Sequence, residues 1–325
     1  MIEVKNVWKE FNIKEHKGFL KNETKCVKAV NGVNIKIEKG KIVGLLGING
    51  AGKTTTIKII TGLLKPTKGN VYVDGKDISK NINKYKGIIN MITGGERNIY
   101  WRLTPKENLE YYAALYGVKG KEKDIIIDKL IKMLDLEKSI DTPVEQFSKG
   151  MKQRLQIARG LINSPKYIFL DEPTLGLDIG IAKEMREYIK KLAQEQNRGI
   201  LLTTHYLREV EELCDYVYVL SRGGIVREGS VKDIITSVGL KNRITIATGM
   251  MENDKINEIL NELQNMRCVT EYNQIDNICK FYIDMVNNNE VSILQVFMKN
   301  MADVLEYENK EPELEDAIEL ITARA

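Results

Sequence analysis

No apolar run in the sequence approaches the roughly 18 residues that a membrane-spanning helix needs. The chain is therefore not expected to cross a bilayer by itself. Only two histidines are present, and the four cysteines (Cys26, Cys214, Cys268, Cys279) are far apart with no C-x-x-C pair, so no zinc site is evident. Scattered thiols of this kind fit a reducing compartment such as the cytosol. The opening MIEVKNVWKE alternates apolar and charged residues and lacks the apolar block of a signal peptide. A large charge excess is also missing: a net charge of +4 does not by itself argue for nucleic acid or for membrane lipid. What is present, 43% hydrophobic and 29% charged residues over 325 positions, suits a soluble globular protein of two domains. Any work at a membrane would be done from the cytosolic side and through a partner.

Residues 1–11 read as a strand, followed by NIKEHKGFLKNETK, expected as an exposed turn. VNIKIEKGKIVGLLG holds two strand-like runs, the second apolar on consecutive positions as a strand buried on both faces should be. GKTTTIKIITGLL follows as a helix, and GNVYVDGKDI as a strand with an Asp74-Gly75 turn. The pattern is helical from about 104 to 163. YIFLD, GILLTTH and the hairpin YVYVLSRGGIVREG then return to strand. Apolar strands alternating with helices indicate a parallel α/β sheet, with a helical subdomain of about 95–163 inserted between two of its strands. The character changes near 239, and 239–325 reads as a small β-α-β-β-α-β (ferredoxin-like) accessory domain. In it NDKINEILNELQNM places Ile256, Ile259, Leu260 and Leu263 on one helical face.

GINGAGKT (Gly47, Ile48, Asn49, Gly50, Ala51, Gly52, Lys53, Thr54) matches the phosphate-binding pattern G-x-x-x-x-G-K-[ST], between a buried strand and a helix where the mechanism needs it. Glycines let backbone N–H groups close around phosphate oxygens. Lys53 can reach the β- and γ-phosphates, and the Thr54 hydroxyl can bind Mg²⁺. In YIFLDEP an apolar strand delivers Asp171 to the C-terminal edge of the sheet, where it can hold the Mg²⁺ shell. Glu172 can then orient or deprotonate a water that attacks the γ-phosphate.

QFSKGMKQRL begins a helix in an unusual way. Ser148 looks like a cap, but Gly150 falls in the first turn, where glycine costs up to about 1 kcal/mol against alanine. Lys149 and Lys152 put positive charge where a helix prefers negative. An anion coming to rest there would account for both.

Together these residues resemble the ATP-binding subunit of an ABC transporter, over about residues 1–235. The resemblance makes FSKGMKQR the signature segment and LDEPTLGLD the Walker B strand and D-loop, ending at Asp178. It also makes His205 of LLTTH the switch histidine and Phe11 of VWKEF the aromatic that stacks on adenine. It implies ATP and Mg²⁺ as cofactors, and Glu172 and His205 as the catalytic pair. Nucleotide contacts are implied along the phosphate loop to Thr55, and at Ser148, Lys149, Gly150 and Met151 of a second copy paired head to tail. A homodimer or a pair of paralogues on the cytoplasmic face of the membrane, attached to a transmembrane permease, is what the family implies. GGERNIYWRLTPKENLEYYA and the terminal ELEDAIELIT resemble exporter ATPases of drugs, peptides and polymers.

One departure stands out. The family usually places a Mg²⁺-binding glutamine about 40 residues beyond the phosphate-loop lysine; here that point falls near Gly94, and Thr93, Glu96 or a water would complete the metal shell. Tyr100 and Trp101, beside Arg97 and Arg102, have the composition of a binding hot spot for the permease. Three rival readings share parts of this pattern. An importer subunit would share every catalytic residue. A DNA-repair ATPase would insert a long coiled coil, yet only 94 residues separate Lys53 from Phe147; a ribosomal one would carry two ATPase domains. A nucleotide-binding module without turnover would not need Asp171, Glu172 and His205. No nucleic-acid partner is expected.

Overall fold

The computed structural model describes residues 1–16, 22–80, 82–94, 98–239, 243–275, 277–284 and 290–324. Contacts divide the chain into two units, Met1–Val231 and Lys232–Arg324.

In the first unit β1 (Ile2–His16) pairs antiparallel with β2 (Asn22–Ile37). The expected exposed turn at 12–25 is corrected: pairing continues from Phe11 opposite Val27 out to His16 opposite Asn22. A two-stranded ribbon has no face that must be buried, so its strands need no apolar alternation, and charge alone did not mark a turn. The chain continues through β3 (Ile42–Leu46), α1 (Lys53–Ile60), β4 (Lys68–Val73), β5 (Lys76–Asp77), α2 (Ile82–Lys86) and β6 (Ile89–Thr93). Three helices follow, α3 (Pro105–Leu115), α4 (Gly120–Met133) and α5 (Lys149–Leu161). β7 (Tyr167–Asp171), α6 (Ile179–Gln194), β8 (Gly199–Thr203), α7 (Leu207–Leu213), β9 (Tyr216–Ser221) and β10 (Gly224–Gly229) complete the unit.

The strands form an antiparallel sheet, β2-β1-β4-β5, and a six-stranded sheet, β10-β9-β3-β8-β7-β6. The second is parallel except for β10 at its edge. Side chains alternate across a strand, so each central strand feeds two cores. Val43, Leu45, Tyr167, Phe169 and Leu201 join α1 and the antiparallel sheet on one side. Ile42, Ile168, Leu170, Ile200 and Leu202 join α3 to α6 on the other. Burial on both faces is why these strands read as unbroken apolar runs. β6 and α2 were not anticipated. Asn90 interrupts the apolar run of β6; it is tolerated because its amide donates to Asn163 Oδ1 at 2.9 Å.

The second unit takes in α8 (Val231–Ser237), β11 (Arg243–Gly249), α9 (Asn253–Asn265), β12 (Val269–Ile275), β13 (Ile278–Asp284), α10 (Glu290–Lys299), β14 (Val304–Lys310) and α11 (Leu314–Arg324). Its sheet is antiparallel in the order β12-β13-β11-β14. Ile256, Ile259 and Leu263 of α9 and Ile293 and Phe297 of α10 pack on Ile244, Ile246, Phe281 and Ile283, with Leu260 half-buried beside them. Arg243 clamps Asp284 with two hydrogen bonds, 2.6 and 2.8 Å, tying β11 to β13. Leu314, Ala317 and Ile321 of α11 are buried. Among the described residues no helix is long and apolar enough to cross a membrane.

Candidate functional site

The loop 47–52 leaves the buried end of β3 and enters α1. Gly47 and Gly52 have φ of 150° and 105°, and a β-carbon on either would stand 2.4 Å from a main-chain carbonyl, of Leu220 and Ala29 respectively. Only glycine allows that approach. Gly52 caps α1 without a side-chain bond, so the first N–H groups of the helix, at Lys53, Thr54 and Thr55, have no intrahelical acceptor. Asn49 and Gly50 are exposed at the tip, and Ala51 is buried beneath it. Lys53 curls back over the loop, its Nζ donating to the carbonyls of Gly47 at 2.5 Å and Ile48 at 3.2 Å. Burial holds the Lys53 pKa below the usual lysine value, with the carboxylates of Glu172 and Asp171 pulling the other way.

Asp171 ends β7, and Thr203 on β8 donates its hydroxyl to Asp171 Oδ1 at 2.6 Å. The next residue, Glu172, has φ of 54°. For a residue with a β-carbon this left-handed conformation costs about 1–3 kcal/mol and persists only when the surroundings fix it. Here Glu172 N–H donates to Thr203 O at 2.9 Å and its carbonyl accepts from Leu175 N–H at 3.2 Å. His205 Nδ1 lies 2.7 Å from Glu172 Oε2, and the His205 ring rests against Tyr206 with centroids 4.1 Å apart. An exposed hydroxyl at Thr54, the Asp171 carboxylate and a buried hydroxyl at Thr93, without a partner among the described residues, are hard oxygen donors of the kind Mg²⁺ takes.

Ser148 caps α5, its Oγ accepting from Met151 N–H at 3.2 Å. The odd glycine has a packing reason: a β-carbon at Gly150 would stand 2.7 Å from Ile181 Cδ1, so α5 meets α6 closely there. Lys149 is exposed, and Asp178 precedes α6 with no side-chain capping bond. Among the described residues no hydrogen bond or ion pair links 148–151 to 47–55. Phe11 is 38% exposed, with Lys9 Nζ 5.2 Å from its ring centre. The structure thus gathers Lys53, Asp171, Glu172 and His205 at one edge of the parallel sheet. A cavity of about 740 Å³ in the same unit, lined by Glu3, Lys36, Tyr216 and Tyr218 among others, holds none of them.

Sequence reasoning missed Thr203, the last residue of β8, whose place two residues before His205 was the available signal. It also missed the buried bond from Thr174 in the D-loop to Glu209 on α7. Nothing local in the sequence marks that pair. Glu96 and Arg97 lie outside the described residues.

A glycine-rich loop entering α1 and an acidic end of β7, on a mostly parallel sheet, define a P-loop nucleotide-binding fold. The profile of the ABC transporter family matches residues 30–175. The chain is 42% identical over 216 residues to the ABC transporter ATP-binding protein NatA of Bacillus subtilis, covering 66% of this chain and 87% of that one. It is 36% identical over 293 residues to the bacitracin transport ATP-binding protein BcrA of Bacillus licheniformis, covering 89% and 90%. The solved dimer of the ATP-binding cassette MJ0796, in a post-hydrolysis state with ADP and Pi, superposes with a TM-score of 0.61 at 28% identity, over 71% of this chain and 98% of that one. The chain belongs to the ABC transporter ATP-binding proteins. Its fold is that of an ABC ATPase, and membership implies binding and hydrolysis of ATP.

Proposed function

We propose that this chain is the ATP-hydrolysing subunit of an exporter and that two copies, identical or paralogous, close head to tail on two ATP molecules. In this reading Phe11 stacks on adenine, and Lys53 with the N–H groups of 47–55 holds the phosphates. Thr54 and Asp171 hold Mg²⁺, which neutralises charge developing on the phosphate oxygens. Glu172 takes the proton of the attacking water, and His205 fixes the Glu172 carboxylate. Ser148, Lys149, Gly150 and Met151 of the other copy cover the γ-phosphate, and Asp178 lies at the junction.

The observation that carries the reading is that two helix ends suited to anions are not bonded to each other. The N-termini of α1 and α5 are both prepared for negative charge, yet no hydrogen bond or ion pair joins them among the described residues. Exposed apolar side chains stand in or beside the same motifs: Ile48 at 57%, Leu175 at 47% and Ile179 at 88%. Such groups gain by burial against a second surface. Transport is supported by the likeness to BcrA, a bacitracin transport ATP-binding protein, whose 89% coverage of this chain runs past Val231 into the second unit. Export rather than import rests on the resemblance of GGERNIYWRLTPKENLEYYA and ELEDAIELIT to exporter ATPases. The strand order of that unit supports a ferredoxin-like accessory domain, one that adds no group to the chemistry. The protein would sit on the cytoplasmic face of the membrane through its permease.

An engineered pair tests the arrangement. Asn49→Cys and Ser148→Cys, carried on separately tagged copies, should cross-link between copies only when ATP is present. Cross-linking that is independent of nucleotide, or none at all, contradicts it.

A further inference from the structure

Position 94, where the family's glutamine was expected, is closed to any side chain, and the structure gives the cause. Gly94 N–H donates to the carbonyl of Asp171 at 2.7 Å, drawing the end of β6 onto the end of β7. A β-carbon at 94 would stand 2.1 Å from the Glu172 carbonyl oxygen and 3.5 Å from that of Asp171. Both obstacles are main chain of the segment that carries the two acids. They cannot swing aside as a side-chain tip would.

One residue earlier the situation is reversed. Thr93 pairs in register with Asp171, and Asp171 with Thr203. Residues in register on parallel strands share a face and lie about 4.8 Å apart, so the three form a row along the C-terminal edge of the sheet. The Thr203 end of the row is satisfied by its bond to Asp171 Oδ1 at 2.6 Å. The Thr93 end is not: its Oγ1 is buried and has no hydrogen-bond partner among the described residues. A buried hydroxyl left unpaired is costly and calls for a water or an ion to complete it. Valine would fill the same space and favour a strand more, so the hydroxyl itself asks for a role.

We propose that Thr93 is a positioning residue for nucleotide-bound magnesium: its hydroxyl, beside Asp171, bonds a water of the ion's coordination shell and so replaces the missing side chain at 94. Mg²⁺ dehydrates reluctantly and keeps several waters, so outer partners of this kind are part of its site. The inference rests on the ATP-hydrolysing reading above.

The test is Mg²⁺ affinity of the full chain saturated with ADP, measured by calorimetry, together with ADP affinity in EDTA. Thr93→Val should weaken Mg²⁺ about tenfold, in the range seen when outer partners of a metal are lost, and leave ADP affinity in EDTA unchanged. Thr93→Ser should restore the Mg²⁺ affinity. Equal Mg²⁺ affinity in wild type and Thr93→Val overturns the proposal, and the hydroxyl then serves only a structural water. Parallel loss of Mg²⁺ and metal-free ADP binding overturns it too, since the effect is then general damage. A wild type that binds no ADP at all overturns the ATPase reading and this proposal with it, an outcome distinct from the other two.

Discussion

His205 Nδ1 lies 2.7 Å from Glu172 Oε2, and the His205 backbone N–H reaches the same oxygen at 3.4 Å. The carboxylate is thus held from one side while its main chain stays in the left-handed region. Glu172→Gln keeps size and hydrogen bonding but cannot take a proton. Steady-state ATP turnover should fall by about 10²–10⁴, the usual worth of a general base, while ATP affinity persists. Near-normal turnover in this variant would mean that another group activates the water.

Gly94→Ala should destabilise the first unit. Its new methyl meets the Glu172 carbonyl at 2.1 Å, and overpacking of that kind costs about 1–3 kcal/mol. Gly180→Ala is the control: its β-carbon meets nothing within 4 Å, and alanine favours the helix by up to about 1 kcal/mol. Urea midpoints compare the two. A Gly94→Ala protein as stable as wild type would show that the β6–β7 contact is loose.

The elements that carry the motifs were legible because of how they are buried. β3, β7 and β8 feed cores on both faces, so their apolar runs are unbroken, and each is followed by residues of a recognisable motif. β6 was illegible because Asn90 sits in it, satisfied by Asn163 far along the chain. The outer half of the β1–β2 ribbon was illegible because it buries no face. At the site, Lys53, Asp171 and Glu172 could be read from spacing. Spacing offered Thr93 only as one of three candidates to complete the metal shell; its register with Asp171, and the main-chain carbonyl that closes position 94, needed the structure. The basic start of α5 suggested an anion site, while the packing of Gly150 against Ile181 needed the structure.

Ser148→Arg tests whether the signature serves another copy. Among the described residues Ser148 bonds only its own helix, at Met151 N–H. ATP binding by the isolated protein should therefore stay within about twofold of wild type, while turnover collapses because a bulky cation blocks closure, a loss of at least the order of a catalytic donor, about 10²-fold. If monomer affinity falls as far as turnover, the site is complete within one chain.

Trp101 is 48% exposed and Tyr100 44%. Tyr100 meets Tyr111 edge-on at 4.8 Å, and Lys152 Nζ stands 4.6 Å over the Trp101 ring. Neither ring is a core residue of the helical segment, but Lys152 is buried, so its cation–π contact with Trp101 contributes up to about 2 kcal/mol. Trp101→Ala should then lower the melting temperature by a few degrees at most but reduce recovery of the complex with the permease severalfold. A large fall in melting temperature with equal losses of soluble turnover and complex recovery would make Trp101 a packing residue instead.

The central claim is that two copies complete each ATP site, and the solution mass of the Glu172→Gln protein tests it most directly. This variant should hold ATP without consuming it. Light scattering after gel filtration with Mg²⁺-ATP should give twice the 37.1 kDa of one chain, returning to 37.1 kDa in ADP. A protein that binds ATP yet stays at 37.1 kDa, while wild type at the same concentration hydrolyses ATP as a single chain, would contradict the account.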